Sequence, residues 1–110
     1  MLEALWSVDF SSNVQGFGSG VVVLETGRVL GGDAQYFYVG SYSVENGVVH
    51  AEVTITHYAG PPNTVFGQAE SVMLKFSGKP DSNQFDLQGS VVGNPALSIR
   101  VQFTRRAELP

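Results

Sequence analysis

The residue types best suited to chemistry in this chain are the run Gly31-Gly32-Asp33, two histidines and a group of tyrosines. A glycine-rich loop can cradle a phosphate when it leads into the N-terminus of a helix. Here the residues that follow, 36–39, read as a strand. We therefore interpret Gly31-Gly32-Asp33 as a structural turn. Its glycines are expected to adopt backbone angles closed to other residues, and Asp33 to accept hydrogen bonds from nearby backbone N–H groups.

The two histidines, His50 and His57, lie seven residues apart on one predicted strand. Residues an odd number apart on a strand project to opposite faces, so these two do not share a metal ion. No cluster of acidic residues converges on either one, and no Gly-x-Ser-x-Gly motif marks a nucleophile. The sequence therefore predicts no catalytic, metal or cofactor site, with His50 on the surface and His57 at a strand end.

The tyrosines Tyr36, Tyr38 and Tyr42 share one face of a predicted strand, with Gly40 between them. Ordinary core packing is the simplest interpretation. If the face points inward together with Trp6, it lines a pocket for a flat or lipid-like ligand. If it points outward, it is an exposed aromatic patch of the kind found in dimer interfaces.

The elements that position these residues are strands, because apolar and polar residues alternate along most of the chain with a period of two. Turn signals separate the runs, and Asn46-Gly47 is the strongest hairpin signal, since both residues tolerate the positive φ of a type I′ turn. Further turns are predicted at Thr26-Gly27, at 78–83 and at 93–95, and a loop at 59–65. No helix is predicted. The strands are expected at residues 2–11, 17–25, 28–31, 35–44, 48–58, 70–77, 84–92 and 96–105.

Eight successive antiparallel strands with one apolar face leave unpaired edges in an open sheet, whereas a closed barrel removes them. We therefore predict an all-β fold over residues 1–110, a single domain built as a small up-and-down β-barrel of about eight strands. A two-sheet sandwich is the competing architecture. Glycines at 16, 18, 20, 40 and 89 suit the sharp bends of a small barrel.

Composition limits the function classes that fit this chain. The 110 residues hold 6 Lys and Arg against 10 Asp and Glu, a formal charge of -4, which disfavours direct binding to nucleic acid. The absence of cysteine removes thiol catalysis and zinc-thiolate sites. The N-terminus has no basic start or long apolar stretch, and no apolar run approaches the length of a membrane span. A cytoplasmic protein is expected.

Several segments of the N-terminal half resemble the GrlR family, and the match continues more loosely through His57-Tyr58 and the closing strands. This family consists of small bacterial proteins typified by the negative regulator of a type III secretion locus. The resemblance implies a lipocalin-like barrel that forms homodimers. In the typifying member, function is inhibition of a helix-turn-helix transcriptional activator by direct binding. The segments that carry the resemblance are Leu5 to Phe10, Gly18 to Leu24, Gly31 to Asp33 and Tyr38 to Tyr42.

The typifying regulator carries an acidic surface loop between the two strands after the Gly-Gly-Asp motif, and that loop is credited with holding the activator. Here the same place holds Glu45-Asn46-Gly47, without an acidic cluster. If the partner contact is retained, this loop is where it is expected.

These observations favour a non-enzymatic regulatory protein that acts by protein–protein contact as a homodimer. The interface is expected at the first strand, at the strand that contains Tyr36, Tyr38 and Tyr42, or at both. The alternative is a module that binds a small apolar ligand inside the barrel, which requires a cavity of about 300 Å³ or more. A barrel packed solid contradicts that alternative. A hydrolase or isomerase needs ionisable residues that converge inside the barrel, and the inward faces offer almost none.

Overall fold

A computed structural model of the chain describes residues 2–13, 17–61 and 70–110. Each predicted strand has an observed counterpart, and the bounds differ by at most two residues at either end. Gly16 and most of the loop predicted at 59–65 lie outside the described residues. The strands are β1 (Ala4–Ser12), β2 (Phe17–Glu25), β3 (Arg28–Gly32), β4 (Tyr36–Glu45), β5 (Val48–His57), β6 (Ser71–Gly78), β7 (Gln84–Val91) and β8 (Asn94–Ala107).

The eight strands form one closed barrel in which every strand pairs antiparallel with its neighbours in the chain, and β1 closes the ring by pairing with β8. This topology confirms the predicted up-and-down barrel and rules out the two-sheet sandwich. Closure also satisfies backbone groups that an open sheet would expose at its edges. The described residues contain no helix of the length and apolarity needed to cross a membrane.

Two hairpins have the same backbone geometry at their tips. Asn46 and Gly47 have φ values of 53° and 78°, and Thr26 and Gly27 have values of 54° and 75°. Positive φ at both central residues defines the type I′ turn, whose twist matches that of the flanking strands. The prediction at Asn46-Gly47 is therefore confirmed. The turn predicted at 93–95 is displaced, because β8 already begins at Asn94.

The barrel interior is filled by apolar side chains from alternate positions of all eight strands, and the described residues include no buried Asp, Glu, His, Lys or Arg. Trp6 is fully buried and packs edge-on against Phe85 and Phe103, at ring-centroid distances of 5.0 and 6.1 Å. Phe85 and Phe103 stack on each other at 4.7 Å. The indole N–H of Trp6 donates to the carbonyl oxygen of Leu2, 2.8 Å away, so its polar atom is satisfied. This aromatic group lies near the end of the barrel where β1 begins.

Candidate functional site

The Gly-Gly-Asp motif is structural, but its two glycines act differently from the prediction. Gly31 and Gly32 are the last residues of β3 and neither has positive φ, so the expectation of unusual backbone angles is wrong. Gly31 is needed because a Cβ there would lie only 2.0 Å from the carbonyl oxygen of Val21 on β2. The motif therefore permits a close approach between two strand backbones.

Asp33 is the residue that forms the turn after β3. Its Oδ1 accepts hydrogen bonds from the backbone N–H groups of Gln35 and Tyr36, both at 2.8 Å, which confirms the predicted role. Its Oδ2 accepts a hydrogen bond from the Tyr38 hydroxyl, and its carbonyl oxygen accepts one from the Tyr58 hydroxyl at 2.7 Å. Asp33 thus connects the start of β4 with the segment after β5.

The Tyr38 hydroxyl fills the space above Gly20, where a Cβ would lie 2.7 Å from the phenolic oxygen. Burial, followed by the hydrogen bond to Asp33, raises the pKa of Tyr38 well above its ordinary range. The neutral phenol is therefore held as a donor and is a poor candidate for acid–base chemistry near neutral pH. This contact gives a physical reason for the spacing between Gly20 and the Gly-Gly-Asp motif.

The tyrosine face points into the barrel. Trp6 and Tyr36 are fully buried, Tyr38 is 7% exposed and Tyr42 is half-buried, so these side chains do not form an exposed aromatic patch. Burial, with a smaller contribution from the charge of Glu3, raises the pKa of Tyr42. The side chains of this face belong to the core.

The barrel interior keeps a cavity of about 70 Å³ with an entirely apolar lining, to which Tyr38 and Tyr42 contribute and Trp6 does not. A pocket for a drug-sized ligand has a volume of roughly 300 Å³ or more. The space is therefore a packing void in a nearly filled barrel, and it falls well short of the ligand chamber that the alternative function requires.

The two histidines lie apart, as predicted. His50 is exposed on the outer face of β5, and His57 lies half-buried at the end of that strand, where its Nε2 is 2.6 Å from the carbonyl oxygen of Gly60. Within residues 2–13, 17–61 and 70–110, no group of three or more acidic or histidine side chains is arranged to hold a metal ion.

The most unusual surface lies on the outside of β2, β3, β4 and β6, and the sequence analysis did not identify it. Six outward side chains form what we call the outer apolar face. Five of them, all except half-buried Val23, have exposed fractions of 42–49%. Phe37 extends the face toward Tyr58, whose ring centroid is 6.2 Å from its own. The members of the face are Val21, Val23, Leu30, Phe37, Val39 and Met73.

Strand register makes this face continuous. Leu30 on β3 pairs with Val23 on β2 and with Val39 on β4, and the same row continues through Thr54 to Met73.

A second row, two residues along the strands, runs from Val21 through Gly32 to Phe37. Directly paired side chains lie about 4.5–5.5 Å apart at Cβ, so the members are close neighbours across the sheet.

Charged residues border this face and do not enter it. The next outward row contains Glu25, Arg28, Ser41, Glu52 and Lys75, all exposed and each paired in register with the next. A charge-free apolar centre with a polar rim is the usual composition of a protein–protein interface.

The opposite side of the barrel, formed by β7, β8 and β1, is polar. Its outward residues include Asp9, Gln88 and Arg100, and Arg100 forms an ion pair with Asp86 at 2.5 Å. The two contiguous apolar rows therefore lie on one side of the barrel. Isolated exposed apolar residues are normal in proteins, whereas large contiguous apolar patches are typical of interaction sites.

The hairpin tip formed by Glu45, Asn46 and Gly47 is exposed and connects β4 to β5. Nothing lies within 4 Å of the position that a Cβ on Gly47 would occupy, so the tip is open to solvent. Glu45 is on the same strand as Phe37 and Val39 but beyond the row of charges that borders the outer apolar face.

A sequence signal for the outer apolar face existed in two strands. Residues 21–24 and 36–39 are apolar at every position, which breaks the alternation seen elsewhere. A strand that is apolar on both faces is covered on both faces. In a barrel the inner face meets the core, so the outer face of such strands needs a second cover.

Comparisons with known proteins support the fold alone. No protein-family model matches the chain, and no curated protein matches it. A solved structure of a redesigned β-barrel is similar, with 12% sequence identity and a TM-score of 0.51, over 96% of this chain and 91% of the other. The likeness agrees with a small closed barrel.

Proposed function

We propose that this chain is a non-enzymatic regulatory protein that acts by binding other protein chains, as GrlR-type negative regulators do, and that it forms a homodimer. The observation that carries the proposal is the outer apolar face, a charge-free surface on one side of the barrel. The resemblance in the N-terminal half supports the same function.

Five residues of this face are exposed by 42–49% and can be covered by a partner. Removing apolar surface from water contributes roughly 25 cal/mol for each Å², and a rigid sheet loses little conformational entropy when it is covered. Val, Leu and Phe side chains held on paired strands are therefore well suited to form the centre of an interface. Polar residues at the border orient the partner.

A second surface binds the regulated partner. By the resemblance this partner is a transcriptional regulator protein in the bacterial cytoplasm, bound through the exposed hairpin tip at Glu45-Asn46-Gly47. This tip lies outside the outer apolar face, so one surface serves self-association and the other remains free for the partner.

The test introduces one charge into the centre of the face. Val39→Glu leaves the core intact, because Val39 points outward, and a buried carboxylate without a partner opposes association. Gln88→Glu adds the same charge to the exposed polar side and is the matched control. We expect the native chain and Gln88→Glu to sediment as dimers and Val39→Glu as a monomer. Equal association by all three chains contradicts the proposal.

A further inference from the structure

The row of outward side chains that borders the outer apolar face has an ordered sequence of charges. Across β2 to β6 it contains Glu25, Arg28, Ser41, Glu52 and Lys75 in direct register. The signs are negative, positive, neutral, negative and positive. Reflecting the order about Ser41 on β4 therefore places an opposite charge at every charged position.

This antisymmetry is what a two-fold dimer requires. A two-fold interface brings the same patch of both copies together, so position i of one copy meets position j of the other, and j meets i. We propose that the outer apolar face is covered by a second copy of this chain, related by a two-fold axis parallel to β4. In this arrangement Arg28 of each copy faces Glu52 of the other. The inference rests on the proposed function and specifies its interface.

The apolar rows are compatible with the same axis. Val39 meets Val39 of the second copy, and Phe37 meets Phe37, because both lie on the strand that the axis follows. Leu30 on β3 faces Thr54 on β5, and no charged side chain faces either apolar row. On β3, β4 and β5, every contact of the two apolar rows therefore involves apolar residues or a threonine, whose hydroxyl can hydrogen-bond within the sheet.

A two-fold axis perpendicular to the strands gives a poorer interface. It would exchange the charged row with the row that contains Phe37, so that Arg28 met Gly32 and Glu52 met Thr56. Both charges would then be covered without an opposite charge, and this opposes association. The arrangement parallel to β4 avoids this.

The curvature of the barrel determines which charged side chains can meet across the interface. Neighbouring strands are about 4.8 Å apart, so Arg28 and Glu52 lie one strand from the axis and can meet across the interface. Glu25 and Lys75 lie two strands away, where two convex surfaces diverge, and they belong to the rim. Neither Arg28 nor Glu52 forms an ion pair with another residue that the structure describes, so both can pair between copies.

The experiment uses Arg28→Glu, Glu52→Arg, their equimolar mixture and Val39→Glu, with sedimentation velocity at low salt. Each single swap places like charges opposite each other at two symmetric positions, so we expect self-association to weaken about tenfold or more. In the mixture, every Glu at 28 or 52 faces an Arg, so a heterodimer should recover native affinity. Lys79→Glu and Glu108→Arg, both exposed and outside the face, control for net charge.

The outcomes separate this inference from the proposed function. Weakened self-association of each single variant, together with native dimer affinity in their mixture, supports the axis parallel to β4. If both single swaps dimerise like the native chain, or the mixture stays monomeric, this arrangement is wrong, and dissociation by Val39→Glu still supports the face. If Val39→Glu dimerises as well as the native chain, or the native chain is monomeric, the proposed function itself is overturned. Far-ultraviolet circular dichroism of each variant checks that the barrel is intact.

Discussion

The Tyr38 hydroxyl donates a hydrogen bond to the Asp33 carboxylate, five residues earlier in the chain, and this contact joins the turn after β3 to the inside of β4. The same carboxylate accepts two backbone N–H groups of the turn. A hydrogen bond to a charged group contributes about 1.5–3 kcal/mol. The Gly-Gly-Asp motif and the tyrosine face are therefore parts of one structural unit.

Removing the Tyr38 hydroxyl tests this unit. Tyr38→Phe keeps the ring in the core and leaves Asp33 Oδ2 without this donor, so we expect the free energy of unfolding to fall by about 1–2 kcal/mol. Urea unfolding followed by tryptophan fluorescence measures the change. Tyr58→Phe, which removes a bond to the Asp33 carbonyl oxygen at an exposed position, should have a smaller effect. Equal stability of Tyr38→Phe and the native chain would show that the contact is dispensable.

Alkaline pH tests the protonation state of Tyr38. Burial and the hydrogen bond to Asp33 raise the pKa of this phenol in the folded chain above the unfolded value of about 10. The resulting stability is fully present below that unfolded pKa and is lost as pH rises above it, because only the unfolded chain then ionises readily. We expect the native chain to lose stability progressively between about pH 10 and pH 12. In Tyr38→Phe the loss over this interval should be smaller, and an identical slope for both chains would exclude Tyr38 as its source.

The barrel was accessible to sequence analysis because its evidence is local. Alternation, hairpin turns such as Asn46-Gly47 and bend glycines each specify a pair of neighbouring strands. The seven pairs of successive strands leave closure as the way to satisfy the two remaining edges. The role of Gly31 was not accessible, because it depends on the distance to Val21 on another strand. The outer apolar face also depends on cross-strand register, which joins Leu30 to Val23 and Val39.

Gly31 provides a test of the close approach between β2 and β3. Gly31→Ala introduces a methyl group where 2.0 Å separates the Cβ position from the Val21 carbonyl oxygen, so the two backbones must move apart. Overpacking of this kind costs typically 1–3 kcal/mol, and we expect a loss of about 2 kcal/mol in urea unfolding. Ser77→Ala, an exposed strand position on β6, is the control and should change stability by less than about 0.5 kcal/mol. A stable Gly31→Ala would show that the strands can separate freely.

The small interior cavity predicts that the barrel does not hold a lipid. With about 70 Å³ of apolar space, the interior has no room for a fatty acid chain. Titration calorimetry with palmitate below its critical micelle concentration should give no saturable binding. One-to-one binding that persists in Val39→Glu, whose outer face is disrupted, would contradict the packed interior and favour the ligand-binding alternative.

The central claim is that the outer apolar face makes this chain a homodimer, and sedimentation equilibrium of the native protein tests it most directly. The chain mass is 11.8 kDa. At micromolar concentration and moderate salt we predict a mass twice that of the chain, falling toward the monomer on dilution. A mass equal to one chain at every concentration tested would contradict the claim.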